Sequence, residues 1–109
     1  GFIMDFNKMF HSVNNGVAYA TAMLYSDKEQ IVQVLYGGSG ENLIYCNGQI
    51  VGHTAKENEF VADKYKLSLH LKAGSNRILI KSRQLVNDWK FSFRVDGRIV
   101  KSHKQKYYL

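Results

Sequence analysis

Residues 71–95 read LKAGSNRILIKSRQLVNDWKFSFRV and contain two stretches in which apolar and polar, mostly basic, side chains alternate. Successive side chains of a β-strand point to opposite faces of a sheet, so this period of two predicts strands with one buried and one solvated face. In the second stretch Trp89, Phe91 and Phe93 form the apolar set. We expect these rings to share the buried face of their strand.

The rest of the chain predicts further short strands. Asn47-Gly48 is the strongest short-range signal for a two-residue hairpin turn, the three glycines of residues 37–42 predict a loop, and residues 52–64 predict a loop with one helical turn. The segment KAGSN at 72–76 is predicted to turn the chain back into a returning strand, so that the strands on either side of it form a hairpin. Strands are predicted over residues 17–25, 31–36, 43–51 (a hairpin), 65–72, 76–83, 89–95 and 98–101.

Seven or eight short strands without a long helix predict an all-β protein, an antiparallel β-sandwich of two sheets. The 109 residues, 45% of them apolar, fit one domain over residues 1–109, in which residues 1–12 and 97–109 are peripheral. No apolar run approaches the roughly 18 residues of a membrane span, so membrane insertion is not expected. The chain opens on Gly1, and we expect it to be part of a larger protein.

Candidate catalytic or metal-binding groups are few. Cys46 is the only cysteine and lies in an apolar strand pattern, which favours a buried thiol over a nucleophile. The four histidines lack the spacing of metal ligands. Three acidic residues, Glu57, Glu59 and Asp63, are the candidates for a carboxylate pair, but their irregular segment favours a solvated acidic loop. The sequence therefore predicts no enzyme, no metal site and no cofactor.

Polar side chains near the predicted turns are candidates for a sugar-binding rim. Sugar sites combine amide or carboxylate groups with an aromatic ring, whereas turn residues that cap their own backbone look identical in sequence. The candidate rim residues are Glu41, Asn42, Asn47, His53, Asn87, Asp88 and Trp89.

The charge is divided unevenly along the chain. Residues 1–63 carry three Lys and seven carboxylates, whereas residues 64–109 carry twelve Lys and Arg and two carboxylates, within a total of +6. Such asymmetry predicts an anionic partner, but a solvated face or a face docked on an acidic neighbouring domain explains it as well. Nucleic acid is disfavoured because no known motif is present and the aromatics are not interleaved with the basic stripe. The candidate polyanion-binding residues, expected on one outward face, are Lys66, His70, Arg77, Lys81, Arg83, Lys90 and Arg94.

Three stretches resemble the galactose-binding-like (jelly-roll) β-sandwich modules that are appended to bacterial glycoside hydrolases and other surface proteins. These are VAYATAMLYSDKEQIVQVLYGGSGENLIYCNGQIVG at 17–52, LHLKAGSNRILIKS at 69–82 and DWKFSFRV at 88–95. Adjacent aspartates common in the relatives' Gly-rich loop are replaced here by Ser39-Gly40-Glu41-Asn42, and Tyr45 stands where a Trp is frequent.

The resemblance implies a jelly-roll fold and a non-catalytic accessory module of a larger bacterial exported protein, extracellular or periplasmic. Its implied partners are neighbouring domains of the parent protein and carbohydrate. Two alternatives remain open. One is a purely structural or protein-interaction domain, and the other is a polyanion- or nucleic-acid-binding module that uses a basic sheet face.

Overall fold

The computed structural model describes residues 2–5, 16–84, 89–96, 100–101 and 106–108 of the chain, and every described element is a β-strand. The strands are β1 (Phe2–Asp5), β2 (Val17–Ser26), β3 (Gln30–Gly38), β4 (Gly40–Cys46), β5 (Gln49–Glu57), β6 (Tyr65–Leu71), β7 (Gly74–Arg83), β8 (Lys90–Asp96), β9 (Val100–Lys101) and β10 (Lys106–Tyr108).

The strands form two sheets that pack face to face. One sheet has four strands in the order β1-β8-β3-β6, and the other has six in the order β5-β4-β7-β2-β10-β9. All pairings are antiparallel except that of β10 with β2. The order of the first eight strands is compatible with a jelly roll. The predicted all-β, two-sheet sandwich is confirmed.

The core lies between the two sheets and follows the alternation of the sequence. Along β2, alanines alternate with exposed residues, so that Ala18, Ala20 and Ala22 are buried. Phe91 and Phe93 on β8 are almost completely buried, as predicted from the opening stretch. Burial of large apolar side chains of this kind contributes about 1.5–3 kcal/mol per residue. Further core residues are Leu24, Val34, Ile44, Leu69, Leu71, Ile78, Ile80, Trp89 and Val95.

The turn at Asn47-Gly48 has the predicted hairpin geometry. Both residues have positive φ, 50° and 84°, and Cys46 pairs directly with Gln49. A primed turn requires positive φ at both central positions, which Asn and Gly adopt at low cost. This turn joins β4 to β5 and confirms the predicted hairpin.

The predicted hairpin between residues 65–72 and 76–83 is wrong. β6 pairs with β3 in the four-stranded sheet, whereas β7 pairs with β2 and β4 in the six-stranded sheet. The chain crosses from one sheet to the other at residues 72–73 instead of folding back on itself. Alternation could not reveal this, because both arrangements bury the same side chains of each strand.

Two predicted loops also differ. Gly37 and Gly38 belong to β3, and a Cβ at Gly37 would lie 1.9 Å from the Val61 carbonyl oxygen, so close packing explains this glycine. The predicted loop over residues 52–64 begins later, because pairing with β4 extends β5 to Glu57, and the described chain there has no helical turn. Part of the predicted last strand is present as β9.

Candidate ligand-binding face

Two of the predicted rim residues are buried. Asn42 is 1% exposed, and its Nδ2 donates to Ser39 O and Thr54 Oγ1 at 3.0 Å each. Trp89 is 2% exposed, and its Nε1 donates to Ser82 Oγ at 2.7 Å. Both side chains support the interior of the sandwich and are shielded from a ligand in solution.

The other predicted rim residues do not converge. Glu41 lies at the start of β4, whereas Asn47 lies just beyond its other end, roughly 20 Å away along the strand. His53 is exposed on β5 opposite Leu43, between these two ends. Asn87 and Asp88 lie outside the described residues. The described rim residues therefore lie apart from one another, and a role of any of them in ligand binding stays a prediction.

The predicted polyanion-binding residues are divided between the two sheets, so the expectation of one shared face is wrong. The physical reason is the crossing at residues 72–73, which places β6 and β7 in different sheets. Lys66, His70, Lys90 and Arg94 lie on strands of the four-stranded sheet, and Arg77, Lys81 and Arg83 lie on β7 of the six-stranded sheet.

Two basic side chains of the four-stranded sheet lie near carboxylates. Arg94 Nη2 lies 3.1 Å from Asp63 Oδ2, and His70 Nε2 lies 3.7 Å from Glu29 Oε2. Lys66 opposes Leu35 on the outward side and is exposed. These pairs reduce the attraction of this sheet for an outside anion.

The outer face of the six-stranded sheet is rich in exposed tyrosine and aliphatic side chains. Of the six large, exposed apolar side chains that the structure describes, four lie here: Val17, Tyr19, Tyr25 and Ile50. Exposed apolar patches of this kind mark interaction sites more often than the remaining surface does. We call this surface the tyrosine–cation face; it comprises Val17, Tyr19, Tyr25, Leu43, Tyr45, Ile50, Arg77, Leu79, Lys81 and Arg83.

Positive charge on the tyrosine–cation face is only weakly compensated. Lys81 Nζ lies 6.0 Å from the centroid of the Tyr19 ring. Arg83 Nη1 lies 3.9 Å from Glu41 Oε1, and both side chains are about half exposed. No carboxylate of the described residues pairs with Arg77 or Lys81. Tyrosine rings and cations are thus interleaved on this sheet, contrary to the expectation from the sequence.

Two shallow hollows indent this face. The first has a volume of about 390 Å³ and is lined by Tyr45, Asn47, Gly48, Lys72, Arg77 and Leu79. The second, of about 240 Å³, is lined by Val17, Glu41, Leu43, Lys81 and Arg83. Each hollow therefore combines an apolar surface with two cationic side chains.

The candidate catalytic groups are held in structural contacts. Lys64 Nζ donates to both Glu57 carboxylate oxygens at 2.9–3.0 Å, and the Tyr65 hydroxyl donates to the same carboxylate. These contacts lower the pKa of Glu57, and the hydrogen bond from Tyr65 has the largest effect. Burial raises the pKa of the Cys46 thiol, against the opposing charge of Lys72. A carboxyl group with a lowered pKa is a poor general acid at neutral pH. A thiol with a raised pKa is a poor nucleophile there, because little of it is thiolate.

Among the described residues there is no group of three or more His, Cys, Asp or Glu side chains arranged to hold a metal ion. The described part of the chain also contains no helix able to cross a membrane. In comparisons with known proteins, no protein-family model, no curated protein and no solved structure matches this chain. The fold and the tyrosine–cation face therefore carry the functional argument.

The sequence of β2 alone does not point to this face. The alternation of β2 that buries Ala18, Ala20 and Ala22 necessarily turns Tyr19 outward, with Val17 and Tyr25. Small residues inside and large residues outside reverse the usual arrangement of a half-buried strand. The sequence alone favours burial of the larger side chains, so the exposure of Val17, Tyr19 and Tyr25 is a finding of the structure.

Proposed function

We propose that this domain is a non-catalytic accessory module that binds an acidic polysaccharide on the tyrosine–cation face. The observation that carries the proposal is the interleaving of exposed tyrosine rings with weakly compensated cations on one rigid sheet. A tyrosine ring offers an apolar platform to the C–H face of a sugar, and Arg or Lys pairs with its carboxylate or sulfate groups. The resemblance to galactose-binding-like modules supports a carbohydrate ligand.

The geometry of β7 favours an extended ligand. Arg77 and Lys81 are four residues apart on the same face of this strand, a separation of roughly 13 Å. A chain with anionic groups at intervals contacts both cations when it lies along the strand. Exposed cations contribute little individually, so several contacts are needed for useful affinity.

The proposed setting is a larger exported bacterial protein, in which this module holds a neighbouring catalytic domain near its substrate. The alternative, docking on an acidic domain of the same protein, uses the same face. Single-stranded nucleic acid also stacks on exposed aromatics in a basic field. We favour polysaccharide because the resemblance points to carbohydrate modules.

Affinity electrophoresis tests the proposal. The purified domain is run in native gels containing polygalacturonate, dextran sulfate or neutral dextran, at low and physiological salt. We expect retardation by the acidic polymers, weakened by salt because the contacts are partly ionic. A parallel titration with a single-stranded DNA oligomer must show weaker binding than polygalacturonate.

Two single charge reversals locate the binding face. Lys81→Glu changes the tyrosine–cation face, whereas Lys66→Glu makes the same change of charge on the opposite sheet. We expect only Lys81→Glu to reduce retardation. Equal losses in both variants would indicate attraction by net charge alone, and an absence of retardation by any acidic polymer would contradict the proposal.

A further inference from the structure

The larger hollow of the tyrosine–cation face lies where β4 ends and β7 begins. Tyr45 and Leu79 are cross-strand neighbours and provide its apolar surface. The Asn47-Gly48 turn forms one side, and Lys72 and Arg77 add two cations. Lys72 belongs to the crossing between the sheets, so two separate segments deliver charge to one hollow.

Hydrogen bonds hold this frame in place. Asn76 is completely buried; its Oδ1 accepts from Lys72 N at 3.0 Å and its Nδ2 donates to Lys72 O at 2.9 Å. Asn47 Oδ1 accepts from Arg77 N at 3.0 Å, and Asn47 Nδ2 donates to Asn76 Oδ1 at 2.9 Å. The backbone positions that carry both cations are therefore fixed relative to the turn, which lowers the ordering cost of binding.

The charge of this hollow differs from that of its smaller neighbour. In the smaller hollow Glu41 lies 3.9 Å from Arg83 and offsets part of the positive charge. In the larger hollow no carboxylate of the described residues pairs with Lys72 or Arg77. An anionic group is thus attracted more strongly to the larger hollow.

We propose that the larger hollow is a subsite for one uronic-acid residue, with the sugar ring against Tyr45 and the carboxylate between Lys72 and Arg77. Guanidinium pairs with carboxylate through two parallel hydrogen bonds, and the ammonium of Lys72 adds a point charge. The volume of about 390 Å³ accommodates a sugar ring with its carboxylate. This subsite rests on the proposed function, since it names the sugar that the same face binds.

Isothermal titration with an oligogalacturonate and with its methyl ester separates the contribution of the sugar ring from that of the carboxylate, because esterification removes the charge and keeps the ring. We expect the methyl ester to bind at least about tenfold more weakly. Arg77→Gln should abolish most of this difference. Tyr45→Ala should weaken the oligogalacturonate severalfold, whereas Tyr45→Phe, which keeps the ring and the fold, should bind nearly as the wild type does.

Dextran sulfate separates the two proposals. Suppose that the domain binds dextran sulfate, but that Arg77→Gln and Tyr45→Ala leave the affinity for oligogalacturonate unchanged. The uronic-acid subsite is then refuted, whereas the proposal of a polyanion-binding face stands. If Tyr45→Phe binds as weakly as Tyr45→Ala, ring stacking is refuted. If the wild type binds no acidic polysaccharide, both proposals fail together, which the electrophoresis above detects independently.

Discussion

Lys81 and Tyr19 are direct neighbours across the β7–β2 pairing, and the Lys81 ammonium lies 6.0 Å from the centroid of the Tyr19 ring. The contact keeps a cation beside an exposed aromatic surface without neutralising its charge. A cation–π contact at an exposed position contributes about 0.5–1 kcal/mol. The pair is the smallest unit of the tyrosine–cation face.

A double-mutant cycle measures this contact. We expect Tyr19→Ala and Lys81→Ala to show a coupling of about 0.5 kcal/mol in the free energy of unfolding, measured in urea. Tyr25→Ala with Lys81→Ala is the matched control. Tyr25 lies six residues farther along β2 than Tyr19, so the stability losses of these two substitutions should add without coupling. Additivity in both cycles would mean that the Lys81–Tyr19 contact contributes nothing in solution.

Ser82→Ala tests the buried partner of Trp89. The substitution removes the acceptor 2.7 Å from the indole N–H at a site sealed from water. We expect a loss of about 1–3 kcal/mol in the free energy of unfolding. Ser68→Ala, which removes an exposed hydroxyl that accepts from Gln33, should cost under about 0.5 kcal/mol. Equal losses in the two variants would refute the buried hydrogen bond.

Asn76→Ala tests the frame that supports the larger hollow. This side chain bonds the Lys72 amide and the carbonyls of Lys72, Gly74 and Leu24. Its loss leaves several of these groups without a partner, so we expect a cost of about 3 kcal/mol. Faster hydrogen exchange at the Lys72 amide should accompany it. Ser75→Ala, an exposed change beside it, should leave both measurements unchanged; a stable Asn76→Ala variant would contradict this role.

We expect the Glu57–Lys64–Tyr65 cluster to make stability depend on pH. The pKa of Glu57 is lowered by its contacts with Tyr65 and Lys64, so its contribution is present above its ordinary pKa of 4.5 and is lost as the pH falls further. The contacts with Glu57 raise the pKa of Lys64 and of Tyr65, so their contribution is lost as the pH rises beyond their ordinary values of 10.5 and 10.0.

Urea unfolding between about pH 6 and about pH 3 tests the acid limb. We expect the wild type to lose more stability than Glu57→Gln, which has no carboxylate to protonate. Glu59→Gln leaves the cluster intact and should follow the wild type. Parallel curves for the wild type and Glu57→Gln would show that the cluster does not control acid stability.

Alternation in the sequence predicted which residues of the strands at 65–72, 76–83 and 89–95 share a face, but it could not predict the neighbours of those strands. Lys66 and Arg77 both occupy outward positions, as expected, yet they lie on opposite sheets because the chain crosses at residues 72–73. Gly37 was interpreted as a loop residue because its close contact with Val61 arises only in the folded chain. Asn47-Gly48 was predictable because its turn geometry is local.

The tyrosine–cation face was harder to predict for the same reason. Tyr19 and Lys81 are far apart in the sequence, and only the pairing of β2 with β7 brings them together. The charge of residues 64–109 was visible in the sequence. How that charge is divided between the two outer faces, and which carboxylates lie near it, depend on contacts between distant segments.

The most direct test of the account is the dissociation constant of polygalacturonate for two variants of equal net charge. The double variant Arg77→Glu with Lys81→Glu reverses two charges on the tyrosine–cation face. The double variant Lys28→Glu with Lys66→Glu reverses the charges of two other exposed lysines. We predict at least about tenfold weaker binding for the first variant and at most about twofold for the second, since only the first removes direct contacts. Equal weakening in the two variants, or none in the first, would contradict a ligand site on this face.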